Sequence, residues 1–103
     1  MYFYERYLDG NKTEHIESRR IDIGRNLLES IGRSAREELG SAARIWVLSD
    51  GNTERAAGAV VRAGLKAEGL AVAGPVLPAD PKPEPVLSLC DELSADAKGA
   101  DLI

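Results

Sequence analysis

The residues with the clearest chemical potential form one short run, Asp50-Gly51-Asn52-Thr53, which directly follows an apolar segment. A carboxylate in this place can accept hydrogen bonds from a ribose diol, and Gly51 lets a ligand come close to the backbone. Amides at the start of a helix can bind an anion, but Asp50 would repel one nearby. The run therefore suits a nucleoside ribose better than a phosphate. The alternative is that Asp50 and Thr53 only cap a helix, with Gly51 as the turn.

The other residue types suited to catalysis or metal binding are isolated. His15, the single histidine, lies in a polar stretch and is predicted to be exposed. Cys90, the single cysteine, is predicted to be a small core residue on the apolar face of a helix. These two residues cannot form an intrachain disulfide or a Cys/His zinc cage. No Gly-x-Gly-x-x-Gly or Walker A motif occurs, so the sequence contains no self-contained phosphate-binding loop.

Length and charge limit the classes of partner. The 103 residues are enough for one domain. With 13 basic and 17 acidic residues, the chain lacks the basic surplus that non-specific binding to nucleic acids or anionic membranes requires. No apolar run approaches the ~20 residues of a membrane helix, and no signal peptide is recognisable. We therefore expect a cytoplasmic protein that binds neither nucleic acid nor membranes.

The elements that position the Asp50 run alternate between strand and helix. Residues 2–23 are compatible with a β-hairpin that turns at Asp9-Gly10, or with a loose N-terminus and one short strand. Helices are predicted over 25–39, 53–68 and 85–97, strands over 43–49 and 70–77, and a further strand from 100. This order predicts an α/β fold in which helices flank a parallel sheet.

Several single residues carry predictions about where the helices begin and end. Thr53 is a favourable N-cap for the second helix, and Pro85 suits the first position of the third. Gly40 and Gly69 lie where helix-terminating glycines belong. Gly32, inside the first helix, is predicted to cost roughly 1 kcal/mol relative to alanine.

Three stretches of the chain carry a family resemblance. Residues 21–28 match an opening pattern (V/I)-x-I-G-x-x-x-L, residues 45–53 end in an Asp-x-Asn-Thr turn, and residues 100–103 form an aspartate followed by hydrophobic residues. In this order they resemble the iron-containing alcohol dehydrogenase and dehydroquinate synthase-like superfamily, above all its sn-glycerol-1-phosphate dehydrogenase branch. The resemblance covers residues 21–103.

The resemblance implies that residues 1–103 are a truncated N-terminal dinucleotide-binding domain with a Rossmann-like fold, lacking the C-terminal helical domain that binds the metal. It implies NAD(P) as cofactor, with Asp50, Gly51, Asn52 and Thr53 near the adenosine ribose and with Asp50 favouring NAD over NADP. A divalent zinc or iron ion would belong to the absent domain. Metal-assisted hydride transfer on a polyol phosphate would therefore be an activity of the whole protein and not of this fragment.

Two alternatives remain open. The first is a dehydroquinate synthase-like protein or another alcohol dehydrogenase branch. The second is a non-catalytic α/β domain that binds a protein partner through its aromatic N-terminus, so that Tyr4→Ala or Tyr7→Ala would disrupt an oligomer. A strand cut at Ile103 would expose an apolar sheet edge and favour self-association, so we expect a homo-oligomer.

Overall fold

A computed structural model describes residues 2–8, 12–18, 20–84 and 86–103. The strands are β1 (Tyr2–Leu8), β2 (Lys12–Ser18), β3 (Arg44–Trp46), β4 (Ser49–Asp50), β5 (Ala71–Ala73) and β6 (Val76–Leu77). The helices are α1 (Ile31–Leu39), α2 (Gly51–Thr53), α3 (Ala59–Ala67) and α4 (Leu87–Asp96), with a 3-10 turn at Leu28–Ser30 and a π-helical segment at Glu54–Gly58. None of the described helices is long and apolar enough to cross a membrane.

Two parallel ladders form the sheet around which the helices pack. β3 pairs with β5, and β4 pairs with β6. The ladders follow one another, since the Val47 amide donates to the Ala73 carbonyl at 2.8 Å and the Ser49 amide donates to the Pro75 carbonyl at 3.4 Å. β3 and β4 thus act as one long strand, with β5 and β6 as its parallel neighbour. This arrangement of helices and parallel strands confirms the predicted α/β class.

A third chain segment lies on the opposite side of β3. Leu102 forms a parallel bridge with Ile45, and the Trp46 amide donates to the Leu102 carbonyl at 2.9 Å. The first long strand therefore lies between the second strand and the segment that contains Leu102. In the standard Rossmann order the third strand lies beside the second. The described pairing thus establishes a parallel α/β sheet without establishing a Rossmann order.

Near the N-terminus, β1 and β2 pair antiparallel, from Tyr2 opposite Ser18 to Leu8 opposite Lys12. The predicted Asp9-Gly10 turn lies outside the described residues, so the hairpin itself stays a prediction. Its predicted extension to residue 23 is not a strand. Ile21 is 53% exposed and Ile23 is 93% exposed, because no described strand pairs with this segment.

The core lies on the sheet face covered by α1 and α3. Its buried residues are Ala35, Ala43, Ile45, Leu65 and Leu70. The two helices cross at Gly32, where a Cβ atom would collide with the Gly64 carbonyl oxygen and lie 3.0 Å from the Leu65 amide nitrogen. The glycine that lowers helix propensity is therefore what lets the two backbones touch.

The opposite sheet face is covered mainly by the end of α4. The Trp46 side chain is 4% exposed there, and its indole N–H donates to Asp96 Oδ2 at 2.7 Å. Farther from this contact, Leu87 is 77% exposed and Cys90 is also exposed. The prediction that Cys90 is a core residue is wrong for this chain, because only the end of α4 reaches the sheet.

Two predicted helix starts also differ from the structure. The first helix begins with the 3-10 turn instead of at residue 25, because Asn26 adopts a left-handed φ of 59° that a right-handed helix excludes. Pro85 lies outside the described residues, and α4 begins at Leu87. The C-terminal predictions are confirmed: Gly40 and Gly69 have φ values of 88° and 79° and follow α1 and α3 closely.

Candidate functional site

The structure brings the four predicted ribose-binding residues together at the carboxyl end of the first long strand. We call this run, Asp50-Gly51-Asn52-Thr53, the Asp50 turn. Asp50 ends β4 opposite Leu77 of β6 and is half-buried, whereas Asn52 and Thr53 are exposed. Open α/β sheets bind ligands at the carboxyl ends of their strands. The turn is therefore accessible at the edge of the sheet where a ligand is expected.

The Asp50 carboxylate caps the helix that follows it. Asp50 Oδ1 accepts hydrogen bonds from the Thr53 amide at 2.8 Å and from Thr53 Oγ1 at 2.9 Å, and the Asp50 amide donates to Thr53 Oγ1 at 2.9 Å. This reciprocal pattern is a capping box. The prediction that Thr53 is the N-cap is wrong, because Asp50 has the extended backbone of an N-cap and Thr53 is already helical.

The capping hydrogen bonds also favour the ionised form of the Asp50 carboxyl. The Thr53 amide, and next the Thr53 hydroxyl, stabilise the ionised form and lower the pKa of the Asp50 carboxyl, and the charge of Arg55 acts in the same direction. Asp50 is therefore a carboxylate at neutral pH. Both Thr53 hydrogen bonds reach Oδ1. The Asn52 amide also stabilises the Asp50 carboxylate.

Gly51 and Asn52 face neighbours within the chain as well as solvent. A Cβ atom at Gly51 would lie 3.4 Å from the Ala79 Cβ, so part of the space beside this glycine belongs to the loop after β6. Asn52 Oδ1 accepts a hydrogen bond from the Arg55 guanidinium. Sequence reasoning did not single out Arg55. Its cation acts on the Asp50 carboxylate and so offsets part of the carboxylate's repulsion of anions.

A polar cluster that sequence reasoning missed lies directly behind the turn. Ser49 Oγ donates to Glu54 Oε2 at 2.6 Å, and Arg62 Nε donates to the same oxygen at 3.1 Å. The side chains of Arg62 and Glu54 are only 13% and 20% exposed. The Ser49 hydroxyl is the main cause that lowers the pKa of the Glu54 carboxyl, and Arg62 reinforces it. The cluster is therefore an ion pair held by an additional hydrogen bond.

Arg62 also joins the two long strands where their ladders are interrupted. Its guanidinium donates to the carbonyl oxygens of Val47 and Gly74 at 3.1 Å and of Pro75 at 3.3 Å. Gly74 is required at this interruption, because its φ is 111° and a Cβ atom would collide with the Val47 carbonyl oxygen. Arg62 thus supplies donors to carbonyls near the break and holds the strand end from which the Asp50 turn departs.

One sequence signal for this cluster exists in retrospect. Glu54, Gly58 and Arg62 are spaced by four residues and so share one face of the helical stretch. A Cβ atom at Gly58 would collide with Glu54 Oε2, so the small residue makes room for the ion pair. The Glu54–Gly58 segment is also π-helical, a form of helix that occurs often at functional sites.

The two other candidate residues belong to other elements of the chain. His15 lies in β2 opposite Glu5, and Cys90 lies on the exposed side of α4. Within the described ranges, no group of three or more His, Cys, Asp or Glu residues is arranged to hold a metal ion.

Comparison with known proteins found no match to this chain. No protein-family model matches the chain, and neither a curated protein nor a solved structure matches it.

Proposed function

We propose that this chain is the nucleotide-binding part of an NAD(P)-dependent, metal-dependent dehydrogenase that acts on a polyol phosphate, and that the Asp50 turn binds the adenosine ribose. One observation carries the proposal. The ionised carboxylate of Asp50 lies at the carboxyl end of the first long strand. This strand has parallel neighbours on both sides, β5 and β6 on one and the Leu102 segment on the other. The sequence resemblance to sn-glycerol-1-phosphate dehydrogenases supports the choice of cofactor and reaction class.

The residues of the turn have distinct roles in this proposal. Thr53 holds Oδ1 of Asp50 and so orients the carboxylate. Oδ2 then accepts a hydrogen bond from a ribose hydroxyl, and Gly51 keeps side-chain atoms away from the approaching sugar. Arg55 tempers the repulsion of a 2′-phosphate, so we propose a preference for NAD that does not exclude NADP. Hydride transfer and metal-assisted polarisation of the carbonyl need residues outside this site.

A binding experiment on the 103-residue chain tests the role of Asp50. Adenosine is titrated into the 15N-labelled chain, and we expect saturable amide shifts at Gly51 and Asn52. Asp50→Asn is the sharp variant, because asparagine caps a helix about as well as aspartate but carries no charge. We expect it to weaken adenosine binding. Thr53→Ala is the comparison variant: it breaks the capping box but keeps the carboxylate, so we expect it to weaken binding less than Asp50→Asn does.

The outcomes separate binding from capping. Shifts that are lost in Asp50→Asn and only weakened in Thr53→Ala support the proposal. Equal effects of the two variants would mean that the turn only caps the helix. An absence of any saturable shift in the original chain, with 5′-AMP as well as with adenosine, would overturn the nucleotide-binding function.

A protein-interaction domain is the second candidate, favoured by the exposed apolar side chains. Leu48 and Ile103 line the same apolar depression and are 45% and 76% exposed. Large exposed apolar residues that cluster into patches commonly mark protein contacts. This candidate predicts that Asp50→Ala leaves every binding property of the chain unchanged, whereas the dehydrogenase predicts that it relaxes the preference for NAD over NADP in a longer protein that contains the whole cofactor site.

A further inference from the structure

The two residues that flank the Asp50 turn are bonded to each other. Ser49 directly precedes the turn and Glu54 directly follows it. Ser49 Oγ donates to Glu54 Oε2 at 2.6 Å. This hydrogen bond joins the end of the strand to the start of the helical stretch across the four residues of the turn. The span of the turn is therefore held by side chains as well as by its own capping box.

Arg62 binds both flanks at once. Its Nη2 donates to Ser49 Oγ at 3.3 Å, and its Nε donates to Glu54 Oε2 at 3.1 Å. The same Nη2 donates to the Val47 carbonyl, two residues before Ser49, at 3.1 Å. The donors of a guanidinium lie in one rigid plane. These bonds consequently fix the start of the helical stretch relative to the end of the strand.

The backbone ladder alone holds this strand end less firmly. The Ser49 amide reaches the Pro75 carbonyl at 3.4 Å, whereas the Val47 amide reaches the Ala73 carbonyl at 2.8 Å. Backbone hydrogen bonds are usually about 2.7–3.2 Å long. Arg62 Nη2 lies 3.3 Å from the same Pro75 carbonyl and donates to it. The guanidinium thus adds a link between the two long strands where their own bond is long.

We propose that Arg62 is a positioning residue for the ribose site, which holds both flanks of the Asp50 turn and so keeps the turn in its capped conformation. Without the guanidinium, the strand end and the helix start can move apart, and the turn is competent to bind for only part of the time. The ordering of the turn by Arg62 needs no ligand. Its effect on binding rests on the proposed function of the Asp50 turn.

Amide hydrogen exchange on the free chain tests the ordering. The Thr53 amide donates to Asp50 Oδ1 and reports on the cap. In Arg62→Met we expect this amide to exchange about tenfold faster. The amide of Ile45, a residue in the middle of β3 that is 3% exposed, should change much less. A general loss of stability would instead accelerate both amides equally, so the ratio of the two rates separates positioning from stabilisation.

A matched control and a second variant accompany Arg62→Met. Arg36 also pairs with a glutamate, Glu68, at 3.6 Å, but this pair joins α1 to the far end of α3. Arg36→Met should therefore leave the Thr53 rate unchanged. Glu54→Ala releases the helical flank and leaves the guanidinium bonds to the strand carbonyls in place. It should accelerate Thr53 exchange in the same way, and it decides the question if Arg62→Met does not fold.

Adenosine titration measures the effect on binding. The Kd for adenosine should rise about tenfold in Arg62→Met and Glu54→Ala and stay unchanged in Arg36→Met. Equal acceleration of Thr53 and Ile45, an unchanged Thr53 rate, or unchanged adenosine binding would overturn the positioning role. If the original chain binds neither adenosine nor 5′-AMP, the proposed function fails, and the exchange rates alone still decide whether Arg62 orders the turn.

Discussion

Because α1 and α3 cross closely, we predict that alanine has opposite effects on stability at two glycines that look alike in the sequence. Gly32 and Gly64 both lie inside helices. Helix propensity alone predicts that alanine at either position stabilises the protein by up to about 1 kcal/mol. At Gly64, the nearest atom to a new Cβ is the Glu29 carbonyl oxygen at 3.7 Å, an ordinary van der Waals distance. Gly64→Ala should therefore realise this gain.

At Gly32, steric overlap outweighs the propensity gain. The new Cβ would collide with the Gly64 carbonyl oxygen and lie 2.6 Å from its carbon. These are backbone atoms, which cannot rotate away as a flexible side chain can, so the two helices must separate. Overpacking of this kind costs about 1–3 kcal/mol. Because the overlap is severe, the cost lies at the upper end of this range, and after subtraction of a propensity gain of about 1 kcal/mol we expect Gly32→Ala to destabilise the fold by about 2 kcal/mol.

Urea unfolding followed by Trp46 fluorescence measures both variants. Trp46 is the single tryptophan and is 4% exposed, so its emission reports directly on loss of the sheet. With a slope of about 1–3 kcal/mol per molar urea, the Gly32→Ala midpoint should fall by about 1 M and the Gly64→Ala midpoint should rise by about 0.5 M. If both variants shift the midpoint upward, the close helix crossing is refuted.

Two further predictions concern acid stability and thiol exposure. The folded protein lowers the pKa of the Asp50 and Glu54 carboxyls, so the unfolded chain takes up their protons first as the pH falls. The urea midpoint should therefore stay level from pH 7 to about 5 and decline below about 4.5, where unfolded carboxyls begin to protonate. Thr53→Ala should remove the contribution of Asp50 to this decline. A midpoint that rises on acidification would contradict the hydrogen bonds of the two carboxylates. Cys90 is exposed, and it should react with Ellman's reagent in the native protein nearly as fast as in urea; strong protection in a monomer would show that α4 is covered.

The alternation of elements could be predicted because it depends on local patterns. Apolar strands followed by amphipathic helices indicate a parallel α/β sheet whatever their neighbours are. Gly40 and Gly69 could be recognised because a helix that ends in a left-handed residue favours glycine at that one position. The place of the Asp50 turn, between a strand and a helix, follows from the same local order. Its binding of a ribose remains a proposal.

The remaining features depend on residues that are distant in sequence. Arg62 belongs behind the Asp50 turn only because the sheet brings Val47 and Gly74 within reach of its guanidinium. Gly32 lowers the helix propensity of α1, but it is required because a second helix crosses the chain there. Cys90 is exposed because only the end of α4 meets the sheet. Composition and periodicity indicate which side chains favour burial. Long-range packing decides which of these side chains are buried and which polar groups form hydrogen bonds with one another, and no local pattern encodes that packing.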